Sequence, residues 1–462
     1  MSFKLQVAGF RLSSIFYYCF FLPSAICHFT SALSQNPIPA PAQTKSILLM
    51  NGTAHIGNGK VIENSAIGFK DGKLILVADA TTIKINQSSY DTVISVAGKQ
   101  IYPGIIAPNS TLGLNEIDAV HATRDFSETG NYNPNVRSVT SYNSDSKIPP
   151  TVRTNGILIA QITPRAGIIS GTSSILELDG WNWEDMAIKT DDGVHMNWPH
   201  MFRRDWEKNE DVNEMPPLKK SDDYDKQKNE LKKFFNDAKA YSETNPTEKN
   251  LRLDAMKGIY TRPNDSVGRA GAKTLFVHVN YVKEIEDAVN FSKENGVKKL
   301  VIVGGTDSWM ITDLLKENNV SVMVNRLHDL PNRTDADIDL PYKLPYLLQK
   351  AEVLFCLENS GDMEQIQTRN IPFLAGTAAA YGLTKEEALS SITLNTAKIL
   401  GIDNKVGSLE EGKDATLFIS TGDALDMKTN NVELAFIRGK KLDLSNEQKV
   451  LYEKYKTKYG MK

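Results

Sequence analysis

The sequence predicts an α/β protein in which a barrel of strands and helices carries a small β module, and three observations point there. From about residue 100, apolar strand-like runs alternate with helical stretches at a spacing of about 20 residues, the rhythm of parallel β/α units that an eight-stranded barrel accommodates. Both flanks, 46–102 and 403–445, instead carry short apolar runs separated by turn residues. A charged stretch at about 203–262 interrupts the rhythm without belonging to either pattern.

The first flank reads as strands over 47–50, 66–70, 73–77 and 93–96. Asn51-Gly52, Gly57-Asn58-Gly59, Asp71-Gly72 and Gly98 separate them, and Asp71-Gly72 between two strands is a hairpin signal. Strands over 414–419 and 432–438, with Arg438-Gly439-Lys440 as a turn, return the chain to this module. In the central region the strands are expected over 157–162, 275–279, 299–303, 320–324 and 353–357. Helices are expected over 282–295 and 308–318. A further helix opens at Thr384, whose hydroxyl suits an N-cap and is followed by Glu386 and Glu387 in the first turn. In the charged insertion, Leu231, Phe234, Phe235, Ala238 and Tyr241 share one face of a helix over 222–243. A basic, Tyr-rich helix over 448–459 closes the chain.

Length and composition narrow the class. The 462 residues suffice for one large domain and a smaller one, and 41% apolar residues suffice for a sizeable core. A net charge of −3 gives no basic surface for nucleic acid. The N-terminus has the pattern of an export signal over residues 1–34: Lys4 and Arg11 are followed by an apolar run over 12–22, then Pro23 and the small-X-small site Ala32-Leu33-Ser34. That run is shorter than the roughly 20 residues of a membrane-spanning helix. The expectation is cleavage and a periplasmic or extracellular location, with no transmembrane segment in the mature chain. Cleavage removes Cys19 and Cys27 and leaves Cys356, so the mature chain forms no internal disulfide. Residues 35–45, rich in Pro and Ala, read as a linker.

Two motifs carry a resemblance. Residues 103–114 read Pro-Gly-Ile-Ile-Ala-Pro-Asn-Ser-Thr-Leu-Gly-Leu. Residues 391–419 contain Ser-Ile-Thr-Leu-Asn-Thr-Ala-Lys-Ile-Leu-Gly-Ile and then Val-Gly-Ser-Leu-Glu-Glu-Gly-Lys-Asp-Ala-Thr-Leu-Phe-Ile. Together they resemble the amidohydrolase superfamily, in particular its imidazolonepropionase-like group, across nearly all of the mature chain. The resemblance implies a TIM-like (β/α)8 barrel over 103–402 with a small β-sandwich built from the N- and C-terminal segments, and Pro103-Gly104 as the crossing between them.

The resemblance also implies a divalent metal such as zinc at the barrel mouth, held by imidazoles and a carboxylate that leave a position for water. Carried over residue by residue, the ligand set is incomplete. Asn109 and Thr111 stand where the first strand places two histidines, and Ala107 where it places an acid. His278, in Val277-His278-Val279, matches a later-strand histidine, while Gly304 stands where the next is expected. The terminal Asp corresponds to Ser360 or Asp362, depending on where a gap falls; Asp362 is preferred because a carboxylate can take the proton.

The candidate catalytic residues are therefore Asp362, His278 and Asp307, with His278 the retained metal-ligand position. Glu116, Arg124, Asp125 and Glu128 follow the first strand and form a candidate substrate cluster, in which Arg124 could grip an anion. Trp181 and Trp183 could wall a pocket or pack a loop, and Arg326 and His328 end a strand. The remaining histidines read as ordinary: His55 in the sandwich, and His121, His195, His200 and His328 in loops. The hydroxyl-rich run over 169–174 reads as a tight loop or a polar ligand contact. Two functions follow. One is an exported hydrolase of non-peptide C–N bonds, of cyclic amide or imide type, with an altered metal site. The other is a non-catalytic protein whose barrel mouth binds a small molecule, or which partners an active paralogue.

Overall fold

A computed structural model describes residues 38–204, 218–244, 247–260, 273–333, 335–361 and 363–461. The export segment and Asp362 lie outside these residues.

The N-terminal strands are β1 (Ile47–His55), β2 (Val61–Lys70), β3 (Lys73–Asp79), β4 (Thr92–Ser95) and β5 (Gln100–Pro103). The barrel follows with β6 (Ile105–Ser110), β7 (Ile157–Ile162), β8 (Ile169–Glu177) and β9 (Ala187–Asn197). Two short strands, β10 (Phe202–Arg204) and β11 (Leu218–Lys220), pair with each other in the insertion. The barrel resumes with β12 (Thr274–Val279), β13 (Leu300–Gly304), β14 (Ser321–Val324) and β15 (Phe355–Leu357), and β16 (Leu417–Ser420), β17 (Val432–Ile437) and β18 (Lys440–Lys441) end the sheet structure.

The flanks assemble into one hydrogen-bonded sheet in the order β18-β17-β16-β5-β1-β2-β3, with β4 added against β1. Leu49, Ile67, Phe69, Ile101, Leu417 and Phe436 fill its fully buried core. At the β2–β3 hairpin Asp71 (φ 50°) and Gly72 (φ 79°) both have positive φ, and the Asp-Gly pair supplies the type of turn whose twist matches the strands. Pro103 pairs with Leu417, and the Gly104 amide donates to the Thr416 carbonyl. A Cβ on Gly104 would lie 2.9 Å from Thr416 Cγ2, so the crossing into the barrel needs a glycine.

The barrel sheet runs β15-β14-β13-β12-β9-β8-β7-β6, a nearly closed set of eight. Its strands are buried apolar runs, as sheets covered on both faces require. One strand departs from the expected parallel pattern: β8 is antiparallel to both β7 and β9. The run over 169–174 is therefore a buried strand, and the expectation of a loop there is corrected. His195 likewise lies on β9, paired with Gly171 and Phe276, rather than in a loop.

The other helices follow their sequence signals. The helix Val282–Glu294 connects β12 to β13. The 308–318 stretch divides into a short 3-10 turn, Ser308–Met310, and the helix Thr312–Glu317. Thr384 caps Lys385–Ser391 in a reciprocal box with Glu387. In the insertion, the helix Tyr224–Glu243 buries Leu231, Phe235 and Ala238, and Phe235 meets Phe291 edge-on at 4.9 Å, which ties it to the barrel. The terminal helix Glu447–Lys458 buries none of its residues.

Candidate active site at the barrel mouth

The C-terminal ends of the parallel strands surround a cavity of about 600 Å³, lined among others by Thr111, Asn115, Arg124, Arg165, His278 and Glu364. It is the position at which barrels of this kind collect functional side chains.

The first strand ends in a kink. Asn109 has φ of 49°, a left-handed conformation that Asn tolerates better than most residues, and the β6–β7 register shifts between Ala107 and Ser110. Four residues on, Gly113 has φ of 72°, and a Cβ there would lie 2.3 Å from the Tyr142 ring, so this glycine is required by the chain path. The turn after β7 carries Arg165, whose amide donates to the Phe126 carbonyl. Its guanidinium donates to Asn109 Oδ1 (3.0 Å), to the Asn109 carbonyl (2.8 Å) and to the Glu364 carboxylate (3.1 and 3.2 Å). Glu364 also accepts the Gly361 amide at 2.8 Å. Among the described residues, Asn109 Nδ2, Thr111 Oγ1, Asn115 Oδ1 and Asp118 Oδ2 are buried here without a hydrogen-bond partner.

Beside this cation lies a pair of imidazoles. His195 Nδ1 is 3.0 Å from His278 Nε2, and His195 Nε2 is 3.0 Å from Ser173 Oγ. The Ser173 hydroxyl reaches Asp192 Oδ1 at 2.7 Å, and Gln161 Nε2 donates to Asp192 Oδ2 at 2.9 Å. His195 stacks on Phe276 with ring centroids 4.6 Å apart. Burial, reinforced by the Arg165 charge, keeps both rings neutral: His278 is pushed down to about 3 and His195 well below its ordinary value. Burial raises the Asp192 carboxyl, although Ser173 and Lys189 oppose the shift. At the end of β15, burial pushes the Glu358 carboxyl up to about 7 against the hydrogen bonds it accepts from Ser360.

Three comparisons bear on this geometry. The family described as Amidohydrolase family matches residues 347–442. An imidazolonepropionase from Flavobacterium psychrophilum is 24% identical over 191 residues, 36% of this chain and 46% of that protein. An imidazolonepropionase from Shewanella frigidimarina is 60% identical over 35 residues, 8% of each. These matches span less than half the length of the curated relatives. An amidohydrolase from Thermotoga maritima has the same fold, with a TM-score of 0.70 and 24% identity over 86% of this chain and 99% of that one. A Xaa-Pro dipeptidase with methionine in its active site superposes with a TM-score of 0.52 at 12% identity, over 86% and 100% of the two chains.

The family match over residues 347–442, the imidazolonepropionase matches and the shared fold support membership of the amidohydrolase superfamily. An amidohydrolase mouth is expected to hold a divalent metal, and the described residues do not fit one. Two neutral imidazoles converge, but no group of three or more His, Cys, Asp or Glu does so among the described residues. Asn109 and Thr111 are poor donors for zinc, and Asn109 is engaged by a guanidinium. Gly304 has φ of 96°, and a Cβ there would lie 2.4 Å from Asn280 Oδ1, so a histidine does not fit at that position.

Of the residues singled out in the sequence, Thr111, Arg124, His278 and Ser360 line the barrel mouth. Arg326 packs against Gly361, where a Cβ would meet its Nη2 at 3.1 Å. The others are placed elsewhere. Asp307 is buried, its Oδ2 accepts the Val282 amide at the start of a helix, and it is not among the residues lining the mouth. Glu116 accepts from Asn143 and Ser146 and borders a separate cavity. Asp125 and Glu128 are exposed, and Glu128 accepts from Thr129. Trp181 is 70% exposed, Trp183 receives the Arg137 guanidinium over its ring at 5.9 Å, and neither lines the mouth. His328 bonds Thr377 Oγ1 at 2.7 Å on an exposed face. Sequence reasoning missed Arg165, His195, Asp192, Glu358 and Glu364, and reached Ser173 only as part of the hydroxyl-rich run over 169–174. The Pro164-Arg165-Ala166-Gly167 turn after a buried strand was the available signal for Arg165.

Proposed function

We propose that the chain is a hydrolase of non-peptide C–N bonds, acting on a small polar substrate of cyclic amide or imide type at the barrel mouth with an altered metal site. The observation that carries this reading is the convergence on one cavity of a neutral histidine, a fixed guanidinium and a buried unpartnered hydroxyl, Thr111. Arg124 makes no ion pair among the described residues and would attract an anionic group of the substrate. Arg165 would polarise a carbonyl or steady an oxyanion, and Thr111 would add a hydrogen bond to it. His278 would take a proton from the attacking water and return it to the leaving nitrogen. The imidazolonepropionase matches and the family match support C–N hydrolysis.

Hydrolysis of a panel of cyclic amides and imides, with elemental analysis of the same preparation, tests this. The expected result is turnover that His278→Asn abolishes, in protein lacking stoichiometric zinc. Stoichiometric metal removes the altered-site reading. A second reading, a non-catalytic binding protein, is favoured by the incomplete donor set. It predicts thermal stabilisation by a small anionic ligand without turnover.

The pattern over residues 1–34 supports an exported, periplasmic or extracellular protein. Mass analysis of the N-terminus after expression with the full leader tests it: loss of about 34 residues is expected, and an intact N-terminus overturns it.

A further inference from the structure

The chain that follows the first barrel strand makes a stitched loop at the mouth. The Asp125 amide donates to the Leu114 carbonyl at 2.7 Å, the Glu116 amide donates to the Thr123 carbonyl at 3.3 Å, and Asn115 pairs antiparallel with Arg124. Thr123 Oγ1 fastens the tip by accepting the Ile117 amide at 3.1 Å. Residues paired across such a ladder send their side chains to the same face. Here that face is the mouth, because Asn115, Asp118 and Arg124 all line its cavity.

The hydrogen bonds leave this loop with two spare acceptors. A carboxylate has no proton to give, so the contact between Asn115 and Asp118 Oδ1 is made by the Asn115 amide nitrogen, Nδ2. That orientation leaves Asn115 Oδ1 unpartnered on a side chain only 2% exposed, and Asp118 Oδ2 is buried without a partner as well. Buried acceptors are costly unless something donates to them. Asp118 and Arg124 carry opposite charges on the same cavity, and neither makes an ion pair among the described residues.

We propose that Asn115 Oδ1 and Asp118 Oδ2 form an ammonium subsite at the mouth, and that its ligands are zwitterions of amino-acid type. The amino group donates to the two acceptors and the carboxylate meets Arg124, which gives both charges a partner at once. A guanidinium alone accepts any anion; the acceptor pair adds a demand for N–H donors and positive charge. At about 600 Å³ the cavity has room for such a head together with an amide directed toward Arg165 and His278. The substrate class narrows to amides or imides that also carry a free amino group and a carboxylate. The assignment rests on the mouth being the reaction site, but binding reads it without turnover.

Isothermal titration of the full chain at pH 7 compares two pairs of probes. L-Glutamine carries an amino group, a carboxylate and an amide, and glutaramate is the same molecule without the amino group. 3-Aminopiperidine-2,6-dione and piperidine-2,6-dione make the same contrast on a ring imide. The amino-bearing member of each pair is expected to bind about 10–100-fold more tightly, the range that hydrogen bonds to a charged group contribute. Asp118→Asn keeps an oxygen to accept from Asn115 and loses the charge; it is expected to bring both ratios near one without weakening the amino-free members. If the variant does not fold, the wild-type ratios decide. Ratios near one in the wild type overturn the proposal, since water then serves the two acceptors. Ratios that survive Asp118→Asn overturn it too, as does failure of all four probes to bind. The expected ratios without hydrolysis of any amide would count against the proposed activity and leave the subsite standing. Hydrolysis of amino-free ring amides with ratios near one would do the reverse.

Discussion

Arg165 holds Asn109 by both of its oxygens, side chain and backbone, at 3.0 and 2.8 Å. A cationic side chain thus occupies the environment of the position at which the superfamily pattern places its first metal-binding histidine. The same guanidinium lowers the basicity of His195 and His278 and is balanced by Glu364. Among the described residues Arg165 thus places a fixed positive charge at the mouth.

Replacing Arg165 by Met removes these hydrogen bonds and leaves the Glu364 carboxylate, 7% exposed, without its cation. The expected loss is about 2–3 kcal/mol of stability, since hydrogen bonds to charged groups and buried pairs broken on one side are costly. Urea denaturation measures it. Binding of any anionic ligand detected by thermal shift should weaken in the same variant.

Gly304→His is expected not to confer zinc binding. The positive φ and the Asn280 side chain oppose any Cβ, with a cost of about 2–5 kcal/mol from strain and overpacking together. Elemental analysis after dialysis against zinc, together with denaturation, checks both parts; stoichiometric zinc in a stable variant would contradict the prediction.

Arg153 and Asp179 form a buried ion pair at 2.7 Å, and Asp179 also accepts the Ala40 amide at 3.0 Å. Asp179→Ala strands a buried guanidinium and should cost about 3–5 kcal/mol. The test is chemical denaturation of the variant, with Arg153→Leu/Asp179→Leu as the control that removes both charges and should recover part of the loss.

Glu177 is 1% exposed, and burial pushes its carboxyl up to about 7 despite the neighbouring Arg438. Between the unfolded value of 4.5 and about 7, the folded chain holds a proton that the unfolded chain has lost. Stability from this group is therefore full below 4.5 and falls as pH rises, by roughly 1.4 kcal/mol per pH unit, until it levels off above the folded value. Wild type measured against Glu177→Gln at pH 5, 6, 7 and 8 should show that difference; a difference independent of pH would refute it.

Much of the architecture was legible because it is written in local pattern. Asp71-Gly72 announced its hairpin, Thr384 and Glu387 their capping box, and the buried β-runs their strands. His278 was legible because it sits in an apolar run, Val277-His278-Val279, that reads as a strand end. His195 was not. Its strand is flanked by Gly193 on one side and Asn197-Trp198-Pro199 on the other, residues with turn character, and its pairing with a reversed β8 is a long-range fact. Ser173 and Asp192 meet only through that pairing, so no spacing in the sequence joins them to His195. The paired tryptophans show the converse: Trp181 is conspicuous in sequence, but only the structure shows that it faces solvent.

The reversal of β8 has a mechanical consequence. Residues 163–168, which join β7 to β8, form a turn stitched into two adjacent ladders instead of a loop leading to an outer helix. Arg165 is thereby built into the wall of the vessel, tied through its backbone to Phe126 and through its guanidinium to Asn109 and Glu364, so a small molecule at that flank of the opening meets a positive charge anchored at both ends.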